Sequence, residues 1–303
     1  MKIVEAVKGV DLEVRHGEIF GFLGPNGAGK TTTLNMLTTL LSFTKGEAKV
    51  AGFDLLSQPD KVREQIGYVS QEGGADGHSN AFENLILQAR LYGISRAEAS
   101  KRATELVDRF QMSEFALRDA RTYSGGQKRR LELALGIVHN PSLVFLDEPT
   151  TGLDPQSRAY FWGEITRLKN EGMTVFLTTH YLEEADHLCD RVAIIDHGTI
   201  VALDTPQQLK RDIGSESIVI DFAVDKDLER AKQLFGSMEQ IHKIYSQENK
   251  LHLFVKDGGG MIAEVLRILD KEKITIQTIG ISKPSLDDVF LQKTGRSLRE
   301  GKN

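Results

Sequence analysis

A single cysteine, Cys189, in 303 residues leaves no disulfide framework possible. A chain of this length has core enough to fold without such staples, and a reducing compartment suits it. No stretch of about 18 apolar residues occurs, so no transmembrane helix is expected. The opening residues Met1–Glu5 carry no hydrophobic signal-peptide core. An excess of positive charge is missing too: 38 Lys and Arg stand against 43 Asp and Glu, for a net charge of −5. Global attraction to nucleic acid is therefore not expected. What remains, 40% hydrophobic and 27% charged, is a soluble globular chain of one large or two ordinary domains.

Against that background one short string stands out. Gly24-Pro25-Asn26-Gly27-Ala28-Gly29-Lys30-Thr31 fits the phosphate-loop pattern G-x-x-x-x-G-K-[ST]. Glycines let the backbone wrap closely round a phosphate chain with successive N–H groups turned inward. The apolar run 19–23 predicts a buried strand before the loop. The run from Thr31 and Thr32 to Leu41, free of Pro and Gly, predicts a helix after it. A helix N-terminus attracts anions, Lys30 can reach the β- and γ-phosphates, and the Thr31 hydroxyl suits Mg²⁺.

A second string supplies carboxylates. Leu143–Leu146 reads as a buried strand, and Asp147 and Glu148 emerge at its C-terminal end. Ligands of a parallel α/β sheet bind at that edge. Asp147 suits a Mg²⁺ ligand, directly or through water. Glu148 suits a base that orients the attacking water.

Taken with three further strings, these motifs resemble those of the ATP-binding cassette (ABC) ATPases. Tyr123-Ser124-Gly125-Gly126-Gln127-Lys128-Arg129-Arg130 is similar to the family's signature, with Tyr in place of its usual Leu. Asp147-Glu148-Pro149-Thr150-Thr151-Gly152-Leu153-Asp154 resembles its Walker B segment and D-loop. Thr178-Thr179-His180 resembles its switch histidine, and Gln71 its Q-loop residue. The resemblance implies two ATP sites between two chains, identical or paired, facing head to tail. Residues 24–32 of one chain would hold the phosphates, with Thr31, Gln71 and Asp147 around Mg²⁺. Glu148, His180 and Gln71 would act in hydrolysis. Ser124, Gly125, Gly126 and Gln127 of the other chain would meet the γ-phosphate at a helix N-terminus. Asp154 would touch the partner; it is also a good N-cap, with Pro155 at the first helical position. The run Lys128–Arg130 is expected to be a solvated helix face that favours ATP.

The chain divides in style. The alternation of Val10, Leu12 and Val14 predicts a half-buried strand over Val7–Arg15, and Ala48 with Val50 another near the sheet edge. Apolar runs at 19–23, 66–70, 143–147, 173–178 and 191–196 alternate with helices, the pattern of a mostly parallel sheet. Residues 72–123 read as a helical subdomain, in which Ser95 and Glu98 form a capping box. His197-Gly198 predicts a hairpin. Beyond Gly214 the order βαββαβ and a final helix, Leu286–Gln292, are expected. The fold expected is thus an α/β phosphate-loop cassette over 1–214, followed by an α+β accessory or regulatory domain over 215–303.

The tail sharpens the resemblance. Leu286-Asp287-Asp288-Val289-Phe290-Leu291 with Thr294-Gly295 resembles the end of daunorubicin-resistance-type and related multidrug or sodium export ATPases. That implies an ATPase subunit on the cytoplasmic face of a membrane, driving a separate permease, with ATP and Mg²⁺ as its cofactors and no nucleic acid as partner. Two other classes stay open: a non-transport ABC ATPase, which typically carries two cassettes, and a phosphate-loop phosphotransferase, which lacks the signature. The family usually places an adenine-stacking aromatic before the strand matched by Val7–Arg15. Residues 1–6 hold no Tyr, Phe or Trp, so either the natural start lies upstream, the favoured reading, or adenine is gripped by apolar contacts alone.

Overall fold

The computed structural model describes residues 5–214 and 216–295. The expectations for residues 1–4 and 296–303 lie outside these. Two compact units divide between Ile200 and Val201.

In the first unit the strands are β1 (Ile19–Leu23), β2 (Lys49–Val50), β3 (Phe53–Asp54), β4 (Ile66–Val69), β5 (Leu143–Asp147), β6 (Thr174–Thr179) and β7 (Arg191–Asp196). Its helices are α1 (Lys30–Leu37), α2 (Pro59–Gln65), α3 (Ala81–Leu91), α4 (Arg96–Arg109), α5 (Gly125–Ile137), α6 (Pro155–Asn170) and α7 (Leu182–Leu188). β4, β5, β6, β1 and β7 lie side by side in that order, the four pairings among them all parallel, and β8 (Thr199–Asp204) follows at the edge. The predicted runs thus become the sheet. β7 leads into β8 through His197 and Gly198, whose positive φ angles (46° and 82°) are those of a two-residue hairpin turn.

Register explains why the motifs meet. Val69 pairs with Leu146, Asp147 with Thr178, and Leu23 with Thr179. Four strands therefore end level, and the loops beginning at Gly24, Ser70, Glu148 and His180 leave from one edge. Beneath them Phe176 lies between Phe20 and Phe145, with ring centroids 5.5 and 5.4 Å away, all three rings buried. Rings of this size dominate core energetics, each stabilising by about 1.5–3 kcal/mol on burial.

Three local expectations change. Along Val7–Arg15 the alternation survives: Val10, Leu12 and Val14 are half-buried, and Asp11, Glu13 and Arg15 exposed. No ladder forms there among the described residues. Alternation needs only one covered side, whereas a strand needs a neighbour; here the fixings are isolated bonds, Lys8 N–H to Gly198 O at 2.8 Å and Arg191 Nη1 to Glu13 O at 3.0 Å. Val50 pairs with Phe53 in a separate two-stranded ribbon rather than in the main sheet. Ser95 caps α4 by accepting from Glu98 N, but the Glu98 carboxylate turns to Arg102 Nε at 3.0 Å, so the box is half made. The full capping boxes lie elsewhere, at Asn80/Glu83 before α3, Ser124/Gln127 before α5 and Ser285/Asp288 near the C-terminus.

The second unit holds α8 (Pro206–Arg211), β9 (Glu216–Phe222), α9 (Asp225–Phe235), β10 (Ile241–Gln247), β11 (Lys250–Val255), α10 (Gly258–Lys271), β12 (Ile276–Ser282) and α11 (Leu286–Thr294). Its sheet runs β10-β11-β9-β12, every pair antiparallel. This is the split βαβ arrangement expected. Ile218, Ile220 and Phe222 on one face of β9 pack with Leu251, Leu253, Ala231, Phe235 and Val265 into an apolar core.

Candidate functional site

The loop from Gly24 to Gly29 carries β1 into α1. A Cβ on Gly24 would stand 2.3 Å from the Ile195 carbonyl oxygen, so backbone approach there demands glycine. α1 begins with no side-chain cap, and its first N–H groups are left for an anion. Lys30, the first helical residue, is buried. Its ammonium donates back to Gly24 O (2.9 Å) and Pro25 O (3.2 Å) and lies 3.2 Å from Glu148 Oε1. Burial lowers the ammonium's pKa, with the nearby Glu148 carboxylate working against that.

Glu148 is the centre of the cluster. It leaves β5 at a φ of +45°, a conformation non-glycine residues adopt only when their surroundings impose it. Its N–H donates to Thr178 Oγ1 at 3.0 Å. Its Oε2 lies 3.1 Å from His180 Nδ1 and accepts from Thr151 Oγ1 at 3.2 Å. Burial pushes the carboxyl pKa up, but the adjacent His180 ring and the Lys30 ammonium outweigh it and hold the group at about 2. Asp147, also buried, accepts a short hydrogen bond from Thr178 Oγ1, and its Oδ1 is 3.4 Å from Thr31 Oγ1. A hydroxyl and a carboxylate oxygen so placed form an all-oxygen donor set. They fit Mg²⁺, which takes few protein ligands and completes its shell with water and phosphate.

The other predicted residues stand apart from this cluster. Gln71 leaves the same sheet edge, one residue beyond Ser70, with an exposed side chain. No hydrogen bond among the described residues joins it to Asp147 or Glu148. Ser124 caps α5, accepting from Gln127 N while its own N–H donates to Gln127 Oε1. Gly125 and Gly126 form the first turn, and a Cβ on Gly126 would lie 2.5 Å from Ser157 Oγ. Asp154 caps α6 through Ser157 N (2.9 Å) and Ser157 Oγ (2.6 Å), and those bonds hold its pKa below the usual value. Ser124, Gly125 and Gly126 thus pack with the D-loop helix, and among the described residues none of the three bonds to Lys30 or Glu148 of the same chain.

The basic run is not a solvated face. Arg129 is buried and donates to the carbonyls of Ser70, Asp147, Glu148 and Pro149. Arg130 lies 4.0 Å over the Tyr160 ring, and Lys128 is 3.8 Å from Glu132. Three consecutive cations on a helix point in different directions, about 100° apart, so a charge run on a helix is not one face. Thr151, Thr178 and Arg129 are the site residues that sequence reasoning missed as individuals. The pairing of Asp147 with Thr178 across adjacent strand ends was the signal available for Thr178.

A phosphate loop opening α1, a carboxylate pair ending β5, a histidine ending β6 and a serine–glycine cap on α5 together define an ATP-binding cassette. The family model of the ABC transporter matches residues 7–151, and that of the ATP-binding protein DrrA1-3-like, C-terminal domain, matches residues 205–294. The doxorubicin resistance ATP-binding protein DrrA of Mycobacterium tuberculosis is 41% identical over 296 residues, covering 97% of this chain and 89% of that one. The daunorubicin/doxorubicin resistance ATP-binding protein DrrA of Streptomyces peucetius is 42% identical over 291 residues, covering 96% and 88%. A dimeric ATP-binding cassette solved in a post-hydrolysis state with ADP and Pi superposes with a TM-score of 0.62 at 28% identity, over 67% of this chain and 92% of that one. The chain belongs to the ABC transporter ATPases, in the branch with a DrrA-type C-terminal domain. It is the ATP-binding and ATP-hydrolysing subunit of an ABC exporter.

Proposed function

We propose that Lys30, Asp147, Glu148 and His180 form the hydrolytic half of an ATP site that a second cassette completes. The observation that carries this is the convergence of Lys30 and His180 on the two oxygens of Glu148, at 3.2 and 3.1 Å. The phosphate chain of ATP would lie against residues 24–32, with α1 N–H groups and the Lys30 ammonium on its charge. Mg²⁺, when bound at Thr31, Asp147 and Gln71, would neutralise phosphate charge. Transfer of Lys30 from carboxylate to phosphate would remove one of the charges that hold Glu148 so acidic. Glu148 then becomes better able to orient and deprotonate water, with the His180 ring 3.1 Å from its Oε2.

Ser124 and the first turn of α5 carry no bond to the same chain's Lys30 cluster, which supports their use by a partner chain's ATP. A head-to-tail pair of chains would make two such sites. Leu87, Leu91 and Leu117 of the helical subdomain are 57%, 73% and 79% exposed, which suits docking on a separate membrane permease. Among the described residues no helix is long and apolar enough to cross a membrane. The chain would then work at the cytoplasmic face, exporting a drug-like cargo that the permease selects. We keep the functional division at Gly214, with 1–214 as the cassette and 215–303 as an accessory, regulatory domain.

The test is phosphate release by the purified chain in Mg-ATP, with sedimentation to follow dimer formation. Release without any acceptor substrate, an ATP-dependent dimer and co-purification with an integral membrane protein are expected. ADP formation that depends on an added acceptor, with the phosphoryl group transferred to it instead of released as phosphate, would point to a phosphotransferase and overturn the reading.

A further inference from the structure

Arg129 makes more polar contacts than a solvent-facing helix residue can use. It is 6% exposed. Nε donates to Pro149 O at 2.7 Å, and Nη1 to Ser70 O at 2.7 Å and Glu132 Oε2 at 2.8 Å. Nη2 donates to Asp147 O at 3.1 Å and Glu148 O at 3.4 Å. Taking a guanidinium out of water is costly, and an apolar residue of similar volume would avoid that cost. The rigid fork of five N–H donors is what such a set of acceptors requires.

The placement of the acceptors gives the group its meaning. The Asp147 carbonyl lies in the peptide plane on the N-terminal side of the Glu148 Cα, and the Glu148 carbonyl in the plane on its C-terminal side. A peptide is planar, so fixing its oxygen fixes the whole unit. Nη2 holds both planes, and with them the φ and ψ of the one residue in this loop that stands at +45°. The same guanidinium reaches Ser70, the residue before Gln71. Its companion Glu132 is buried and closes the other side. Gly73, at a φ of +85°, passes so near that a Cβ there would lie 1.9 Å from Glu132 Oε1. A cavity of about 150 Å³ lined by Tyr68, Ser70, Gly74, Gln88 and Glu132 borders this turn, so little else packs it on that side.

We propose that Arg129 is a positioning residue for hydrolysis, clamping both peptide planes that flank Glu148 and tying the segment before Gln71 to the same guanidinium, with Glu132 as its brace. This rests on the reading of Glu148 as the group that acts on water. Arg129 touches no substrate. It works through the aim of the Glu148 carboxylate toward Lys30 and His180. Because Arg129 and Glu132 sit in the helix that Ser124 caps, the clamp also joins the signature end of a chain to that chain's own hydrolytic carboxylate.

The experiment compares Arg129→Met, Arg129→Lys, Glu132→Ala and Glu132→Gln in the full chain, with Glu148→Gln alongside. Three quantities are read: phosphate release at saturating Mg-ATP, ATP affinity from a fluorescent analogue, and folding by circular dichroism. Misplacing a reacting group by about 1 Å costs roughly 10²-fold. Arg129→Met is expected to lower kcat by about that factor while ATP affinity stays within roughly threefold. Arg129→Lys keeps the charge but not the fork, and is expected to stay at least ~10-fold down. Glu132→Gln, whose amide oxygen still accepts, is expected to recover most of what Glu132→Ala loses. Three results overturn the proposal: a normal kcat in Arg129→Met, full recovery in Arg129→Lys, or losses of rate and affinity in equal measure. Should Arg129→Met fail to fold, Arg129→Lys decides alone by its kcat. Normal turnover in Glu148→Gln would instead remove the reading of Glu148, whatever the arginine variants do.

Discussion

In the first unit five parallel strands end on one side of their sheet. In the second, four antiparallel strands send neighbouring ends to opposite sides. The consequence is chemical. Where strand ends gather, Lys30, Asp147, Glu148 and Arg129 are buried within reach of one another. Where they alternate, the core is Ile218, Ile220, Phe222, Leu251, Leu253 and their neighbours, and the buried polar side chains among the described residues are Ser217 and Asp288 alone. Buried charge is costly unless paired. The first unit accepts that cost at one edge, and the second has no edge at which several loops could share it.

Removing the central carboxylate is the strongest way to break the contrast. Glu148→Gln should leave ATP binding intact and lower hydrolysis by roughly 10²–10⁴, the usual worth of a positioned acid–base group. Phosphate release and nucleotide affinity check it; near-normal turnover would reduce the cluster to a structural ion pair. Next comes Ser124→Arg, which puts bulk and charge where a partner's γ-phosphate would lie. Single chains should still bind ATP, and turnover should fall by roughly 10² or more, the scale of losing a charge-stabilising donor. Mixed with Lys30→Ala, it should recover at most one of two sites per dimer. Unchanged turnover would show that the signature acts on nothing outside its own chain.

A third substitution probes the other side of the comparison. Phe222, fully buried on β9, belongs to the core of the second unit. Phe222→Ala should cost that unit about 3–5 kcal/mol. ATP affinity should not change, because no ionisable cluster depends on it. Hydrogen exchange in β9 and β11, set against nucleotide binding, checks the split. A matching loss of ATP affinity would mean that the second unit supports the phosphate site.

Most of this division was legible in the sequence, for physical reasons that differ by element. β1, β4, β5, β6 and β7 were readable because strands covered on both faces are nearly continuous apolar runs. The split βαβ order was readable from the alternating stretch Ser217–Val224 and the run Leu251–Val255, where the structure has β9 over Glu216–Phe222 and β11 over Lys250–Val255. The stretch Val7–Arg15 misled because alternation records one covered side and is silent about neighbours. At the site, motif spacing located Lys30, Asp147, Glu148 and His180. It could not show that Arg129 turns inward, because burial of one cation in a basic run depends on carbonyls 59 and 18–20 residues away. Asp154 was legible as the N-cap of α6, and its carboxylate accepts from Ser157 N at the N3 position as that reading requires.

The smallest effect expected concerns acid. The Glu148 carboxyl is held at about 2 against an ordinary 4.5. A folded-state value below the unfolded one stabilises fully above the unfolded value, and that stabilisation is lost as pH falls toward the folded one. Glu148 should thus contribute a constant amount above pH 4.5, at most about 3 kcal/mol, and progressively less down to about pH 2. Glu184, deeply buried and raised by that burial, shifts the other way and partly masks the trend. Subtracting the Glu148→Gln variant removes the masking, since Glu184 is common to both proteins. Trp162, the chain's one tryptophan, lies in α6 and reports on the first unit alone. Denaturant unfolding followed by its emission at pH 7, 5, 4 and 3 should give a difference between the two proteins that is flat to pH 5 and shrinks below 4.5. In the second unit His252, whose pKa burial lowers against the pull of Asp288, obeys the same sign rule from a higher start. Its contribution should begin to fade near pH 6.5, so β11 should loosen before the nucleotide cluster does. A wild-type-minus-variant difference that already declines between pH 7 and 5 would mean that Lys30 and His180 do not hold Glu148 ionised, and the electrostatic contrast between the two units would lose its main support.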